Sequence, residues 1–265
     1  MLRPMDAFGD YVIDGVIGHG GTATVYQAHH AAGLGGPVAL KVLDEHHRDA
    51  FNLTRLQREF EFARRTAHPH VVTMYESGPG WLAMQLIRGG TATNLPGRDL
   101  RLIALAQIAS ALDHVHAIGV VHCDVKPPNV LVSEPFSAGG AILTDFGIAR
   151  SLAEDAKQRL THVEASLPYA APEVLHGHSP SAASDEYSLA CTAVELLTGS
   201  PPFNGHTSMA LVNAHLNSPV PKYSRHLDWV PRAFDSILAK AMAKSPDLRY
   251  QSCSEFISLI TRAIG

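Results

Sequence analysis

Two short polar stretches, each bracketed by apolar runs, constrain this chain more than any other feature. They are His122-Cys123-Asp124-Val125-Lys126-Pro127-Pro128-Asn129 and Thr144-Asp145-Phe146-Gly147. Val120-Val121 precedes the first, Val130-Leu131-Val132 lies between them, and Ile142-Leu143 leads into the second. Short β-branched and aliphatic runs beside Pro and Gly read as buried strands that end in loops. Polar groups on loops carried by a rigid apolar scaffold are a common way to build an active site. Two carboxylates, Asp124 and Asp145, that stay charged close together call for a cation between them, and a divalent metal on a phosphate supplies one.

The spacing then suggests roles. Asp124, at the start of a tight loop, can orient an attacking hydroxyl. Lys126, two residues on, can reach a transferring phosphoryl group, and Asn129, five residues on, can turn back to ligate Mg²⁺ through its amide oxygen. Asp145 can add a charged oxygen to the same ion. With these residues in this order the chain resembles the eukaryotic-like protein kinases, and the Asp-x-Lys-Pro-x-Asn run resembles their serine/threonine branch. The bacterial Hanks-type serine/threonine kinases are the nearest group by pattern.

The resemblance implies an α+β, bilobal kinase-like fold. A small antiparallel-sheet lobe with one main helix, about residues 8–84, is joined by a hinge at 85–90 to a larger, mostly helical lobe at 91–265. In the first part, Tyr11-Val12-Ile13 and Val16-Ile17 lead into Gly18-His19-Gly20-Gly21-Thr22-Ala23, and Thr24 to Ala28 returns as a strand. Glycines at such a bend let backbone N–H groups lie close over phosphates. Where the family pattern has a third glycine this chain has Ala23, which suggests a stiffer loop tip.

Val38-Ala39-Leu40-Lys41-Val42-Leu43 reads as a buried strand carrying one lysine, whose charge needs a partner. The helical pattern from about Phe51 to Ala67 offers Glu59, with Glu61 as its competitor, and His68-Pro69 ends it. Strands are expected at 71–75 and 81–84. By resemblance, Lys41 and Glu59 pair to hold the α- and β-phosphates of ATP. Ile17, Gly18, Gly20, Val25, Ala39 and Leu131 enclose the nucleotide, Met84 backs the adenine, and backbone groups of Gln85 to Ile87 bond its edge.

In the second part a long buried helix is expected at 99–118, with Leu100, Ile103, Ala104, Ile108, Ala111, Leu112 and Val115 at helical spacing. A polar stretch after Asp145-Phe146-Gly147 runs to about Leu167 and ends in Ala171-Pro172-Glu173, which resembles the end of a kinase activation segment. By the same resemblance Glu173 pairs with Arg249. Asp185 binds the backbone of the catalytic loop and fixes His122-Cys123-Asp124, and Ser166 hydrogen-bonds Asp124 and Lys126. Helices at about 207–217, 231–243 and 253–263 read as structural.

One departure is chemical. Cys123 stands where many relatives place the Arg that binds a phosphate on the activation segment, and it carries no cation. Phosphorylation of Thr161 is therefore not expected to be needed for basal activity by that route. Cys123 itself reads either as a small buried hydrophobe or as a redox-sensitive thiol beside Asp124.

Composition narrows the classes of partner. The net charge is −4 with no basic run, which argues against nucleic acid and anionic lipid. No apolar run is long enough to span a bilayer. The odd, scattered cysteines Cys123, Cys191 and Cys253 fit a reducing, cytoplasmic setting. A membrane tether is conceivable if the chain belongs to a longer protein. The expectation is an ATP- and Mg²⁺-dependent Ser/Thr protein kinase, with Mn²⁺ as a chemical substitute and protein substrates that include itself. The rivals are a pseudokinase scaffold that binds nucleotide without transfer, and a small-molecule phosphotransferase on a related fold.

Overall fold

The computed structural model describes residues 2–146, 149–151 and 164–265. Gly147 and Thr161 lie outside them. The N-terminal part is one antiparallel sheet of six strands: β1 (Ala7–Phe8), β2 (Tyr11–His19), β3 (Ala23–His30), β4 (Val38–Leu43), β5 (Met74–Gly78) and β6 (Trp81–Gln85), in the order β1-β2-β3-β4-β6-β5. The period of two along β4 sorts its side chains. Val38, Leu40 and Val42 join Tyr11, Ile13, Tyr26 and Ala83 in a core on one face. Ala39, Lys41 and Leu43 take the other face, with Ala39 and Leu43 in the main core.

That second face is covered by α1 (Ala50–Arg64), capped by Asp49, whose carboxylate accepts the Asn52 N–H at 2.9 Å. Its buried residues Asn52, Leu56, Glu59, Phe62 and Ala63 share one helical face. The exposure of Phe51 (47%) and Leu53 (36%) limits the core contribution of the N-terminal turn. The helix also stops short of Ala67. The N–H of Arg65 is shared between the Glu61 and Phe62 carbonyls, and Thr66 N–H reaches back three residues to Ala63, tightening the last turn.

A strand expected at 71–75 begins instead at Met74. Residues 70–72 pair elsewhere: Val72 N–H donates to Leu143 O at 3.0 Å, and Leu143 N–H to His70 O at 2.9 Å. This segment therefore stitches the sheet region to the second part of the chain. At the connection that follows β6, Gly89 approaches β8 (Val130–Val132) so closely that a Cβ there would lie 2.4 Å from Val132 O. Its N–H donates to that carbonyl at 2.8 Å.

The second part is helical. α2 (Arg98–Ala117) buries Leu102, Ala104, Leu105, Ile108, Ala109, Ala111, Leu112 and Val115. Ile103, expected inside, is 47% exposed, so the helix keeps a solvent stripe. After it come β7 (Val120–Val121), β8, the short α3 (Phe136–Gly139) and β9 (Ala141–Leu143), with β8 and β9 antiparallel. β10 (Arg150–Ser151) pairs with β7. α4 (Pro172–Leu175) precedes α5 (Ala182–Thr198), which is buried over most of its length and ends on Gly199 in the left-handed conformation. α6 (Ser208–Asn217), α7 (Arg232–Ala241) and α8 (Cys253–Ile264) complete the helical part. Among the described residues no helix is long and apolar enough to cross a membrane.

Candidate active site

The loop between β7 and β8 is hung from a neighbouring helix. Asp185, in the first turn of α5, accepts the N–H of His122 at 2.7 Å and of Cys123 at 2.8 Å. Its Oδ2 also meets His116 Nε2, from the last turn of α2, at 2.8 Å. Nothing in the local pattern around His116 announces this contact, because its partner lies 69 residues away. The His122 ring braces the loop from inside. Asp124 N–H donates to its Nδ1 at 3.2 Å, and its Nε2 lies 3.1 Å from Thr144 O, so the proton is assigned to Nε2 by the network. Phe146 packs edge-on against it.

Cys123 bends the loop with φ +67°, a left-handed conformation that non-glycine residues seldom adopt. Its side chain is half-buried rather than enclosed, and Sγ lies 3.5 Å from Val121 O.

The loop delivers three polar side chains to one point, where Ser166 from the 164–169 turn joins them. Asp124 Oδ1 accepts from Ser166 Oγ at 2.5 Å, while its Oδ2 lies 2.9 Å from both Lys126 Nζ and Asn129 Nδ2. Lys126 Nζ also donates to Ser166 Oγ at 3.0 Å. Asn129 Nδ2 makes a second bond to Asp124 O at 2.8 Å. Both amide hydrogens of Asn129 thus point at Asp124, and its Oδ1 is turned the other way.

Across the cleft, Lys41 Nζ donates to Glu59 at 2.9 and 2.7 Å and to Asp145 Oδ1 at 3.3 Å. Glu61 is exposed and bonds Gln57 instead. Burial opposes the Lys41 charge, but Asp145 and then Glu59 outweigh it and hold the ammonium above its usual range. Lys41, against the effect of burial, brings the Asp145 carboxyl down to about 2. Asp145 also has positive φ, at +66°. An ionised Asp145 and the amide oxygen of Asn129 form a hard oxygen donor set suited to Mg²⁺.

The β2–β3 hairpin roofs this cleft. Gly20 N–H donates to Ala23 O at 2.8 Å. Ala23 opens β3 and is not among the positive-φ residues, so a methyl group there meets no backbone objection. Ile17, beside Gly18, is 49% exposed, Val25 and Leu131 are half-buried, and Ala39 and Met84 are buried. Gln85 N–H is taken by Thr73 O at 2.8 Å, which removes it from the groups expected to meet an adenine edge. Below the site, Glu173 takes two hydrogen bonds from Arg249, at 2.8 and 2.7 Å, and a third from Ser184 at 2.6 Å.

A family model described as "Protein kinase domain" matches residues 11–259. Serine/threonine-protein kinase PknJ of Mycobacterium tuberculosis is 38% identical, over 99% of this chain and 47% of that protein. PknH of the same organism is 36% identical, over 94% of this chain and 41% of its own length. The chain thus spans about half the length of the curated relatives it matches. The crystal structure of the M. tuberculosis PknI kinase domain superposes with a TM-score of 0.75 at 30% identity, covering 99% of both chains.

Proposed function

Since the chain belongs to the protein kinase family, in its serine/threonine branch, we propose that it transfers the γ-phosphoryl group of ATP to Ser and Thr hydroxyls of proteins, itself included. Protein kinases generally use ATP and a divalent metal ion. Here Asn129 and Asp145 would hold the metal, Mg²⁺ by their oxygen chemistry, with Mn²⁺ able to substitute. A divalent ion at that point supplies charge neutralisation on the phosphate oxygens. The remaining work falls to this chain's side chains.

Asp124 orients the acceptor hydroxyl and draws on its proton. Lys126, held 2.9 Å from Asp124, places its positive charge where the transferring group gains negative charge. Lys41, fixed by Glu59, grips the phosphates on the far side. Gly18 and Gly20 cover them and keep water out. Ile17, Val25, Ala39 and Leu131 flank the adenine, Met84 closes its rear, and the Gln85 carbonyl with the Ile87 N–H meets its edge. Catalysis of this kind is positioning and preorganised electrostatics. The cytoplasmic ATP pool is the setting this reading requires.

The observation that carries the proposal is the knot of Asp124, Lys126, Asn129 and Ser166. Ser166 also follows the polar segment on which a protein substrate would lie, which favours a protein acceptor over a small molecule. The test is transfer of label from γ-³²P ATP, with Mg²⁺, to a generic protein and to the chain itself. Label on Ser and Thr is expected, falling roughly a hundredfold or more in Asp124→Asn. Transfer no greater than that of the variant, with nucleotide binding intact, would establish a scaffold instead of an enzyme.

A further inference from the structure

Behind the catalytic loop, three side chains of different chemistry converge where α2 meets the start of α8. Asp113 and His116 lie one turn apart on α2, on the same helical face, and Cys253 is the first residue of α8. Donor atoms of the three lie within 4.8 Å of one another. Tetrahedral coordination at ordinary Zn–S, Zn–N and Zn–O lengths separates ligands by roughly 3.5 Å, so the donors need to close by about one ångström. We propose that Asp113, His116 and Cys253 form a binding site for a thiophilic divalent transition metal, Zn²⁺ first among them, distinct from the Mg²⁺ site of the cleft.

The arrangement around these residues supports this reading independently of their proximity. His116 Nε2 lies 2.8 Å from Asp185 Oδ2, so an ion taken on Nδ1 would leave that bond in place. A carboxylate on the far nitrogen is the partner that metal-bound histidines ordinarily have, since it fixes the tautomer and makes the ligand more basic. Asp113 accepts Cys253 N–H at 2.8 Å and Ser254 N–H at 3.0 Å. A carboxylate has about four lone-pair positions, so it can keep both bonds and still ligate. Burial, then the Asp113, Asp185 and Glu186 carboxylates, hold the Cys253 thiol well above its usual pKa, so a metal must displace its proton to bind. Cys253 is buried, whereas Asp113 and His116 are partly exposed and give the ion a way in.

Thiolate and imidazole select Zn²⁺ over Mg²⁺, so the millimolar ion of the phosphoryl-transfer reaction does not compete. Binding exchanges the Cys253 S–H for an S–metal bond and releases one proton to solvent. The bound ion would hold His116 with its Nε2–H on Asp185, the residue from which the catalytic loop hangs. It acts on that loop by positioning and does not touch substrate.

The test is titration of the untagged chain with Co²⁺ in excess Mg²⁺. A 1:1 complex should give thiolate-to-cobalt charge transfer in the near ultraviolet and tetrahedral d–d bands in the visible. Both should be displaced by Zn²⁺, and Zn²⁺ should raise the melting temperature. Cys253→Ser, which changes a single heavy atom, should abolish the charge-transfer band, while Cys123→Ser and Cys191→Ser should keep it. His116→Gln retains an N–H for Asp185 and should weaken cobalt binding at least tenfold, with a metal-free melting temperature close to that of the parent. Absence of the band in the parent chain, or its persistence in Cys253→Ser, would overturn the proposal.

Discussion

The Ser166 hydroxyl bridges a carboxylate and an ammonium that themselves lie 2.9 Å apart, accepting from Lys126 at 3.0 Å and donating to Asp124 at 2.5 Å. Ser166→Ala removes that bridge and leaves the direct Asp124–Lys126 contact to hold the geometry alone. Turnover should fall about ten- to a hundredfold with little change in melting temperature, as read by steady-state kinetics beside a thermal melt. Lys41→Met acts differently, because it also strands Glu59, which is 2% exposed. The single variant should lose most turnover and about 3 kcal/mol of stability, the cost of an unpaired buried charge. Adding Glu59→Gln should recover much of the stability and none of the turnover, and urea unfolding of the four proteins in the cycle measures the difference. The choice of Glu59 over Glu61 was readable in principle, since Glu59 shares the helical face of Leu56, Phe62 and Ala63. His116 was not readable, because its partner is brought near only by the packing of α2 on α5.

At the scale of elements, α6 carries a buried histidine that the apolar pattern of 207–217 concealed. Tyr187 Oη lies 2.9 Å from His215 Nδ1, and Nε2 is buried without a hydrogen-bond partner among the described residues. Burial, then the Lys244 ammonium, push its pKa down to about 4, with the nearby Pro168 carbonyl pulling the other way. The unfolded chain therefore takes up this proton more readily than the folded one. The stability it contributes is complete above about pH 6.5 and is lost as pH falls toward 4, on the order of 3 kcal/mol in all. Urea midpoints should decline across that window and decline less in His215→Phe. Glu173 responds lower on the scale. Burial raises its pKa, but Arg249 outweighs burial and holds it below the usual carboxylate value. Its contribution is present above about pH 4.5 and disappears as pH drops through the folded value. Helix and strand positions in both parts of the chain were legible from periodicity, yet the 70–72 segment was not. A Val-Val pair suits a sheet edge and a cross-connection to β9 equally well, and only the competing partners decide.

Polar threads that join the two parts include, among the described residues, Lys41 to Asp145, residues 70–72 to β9, and Gly89 to Val132. A nucleotide and metal that bind across the Lys41–Asp145 contact should therefore fasten the two parts together. A ligand at a hundred times its dissociation constant adds about 2.7 kcal/mol to the folded state. Mg·ATP should accordingly raise the melting temperature by roughly 5–10 °C, and Asp145→Ala should lose most of that rise. The order of elements along the chain made the two-part architecture legible at the outset. The contacts between the parts were less so, because each depends on a backbone bond or a single side chain from distant positions.

The left-handed bends at Cys123 and Asp145 restrict which residues those positions tolerate. Asp and Asn enter that backbone region several times more readily than most residues, so at 145 the demand of the turn and the demand for a charged oxygen point to the same amino acid. At 123 they do not, and a β-branched substitute such as valine would meet a steric penalty of about 1–2 kcal/mol before any chemistry is considered. Glycine at 123 would adopt the same bend without that strain and keep the N–H bond to Asp185, but with more backbone freedom beside Asp124, so variants selected only for thermal robustness could gain stability there at the expense of alignment.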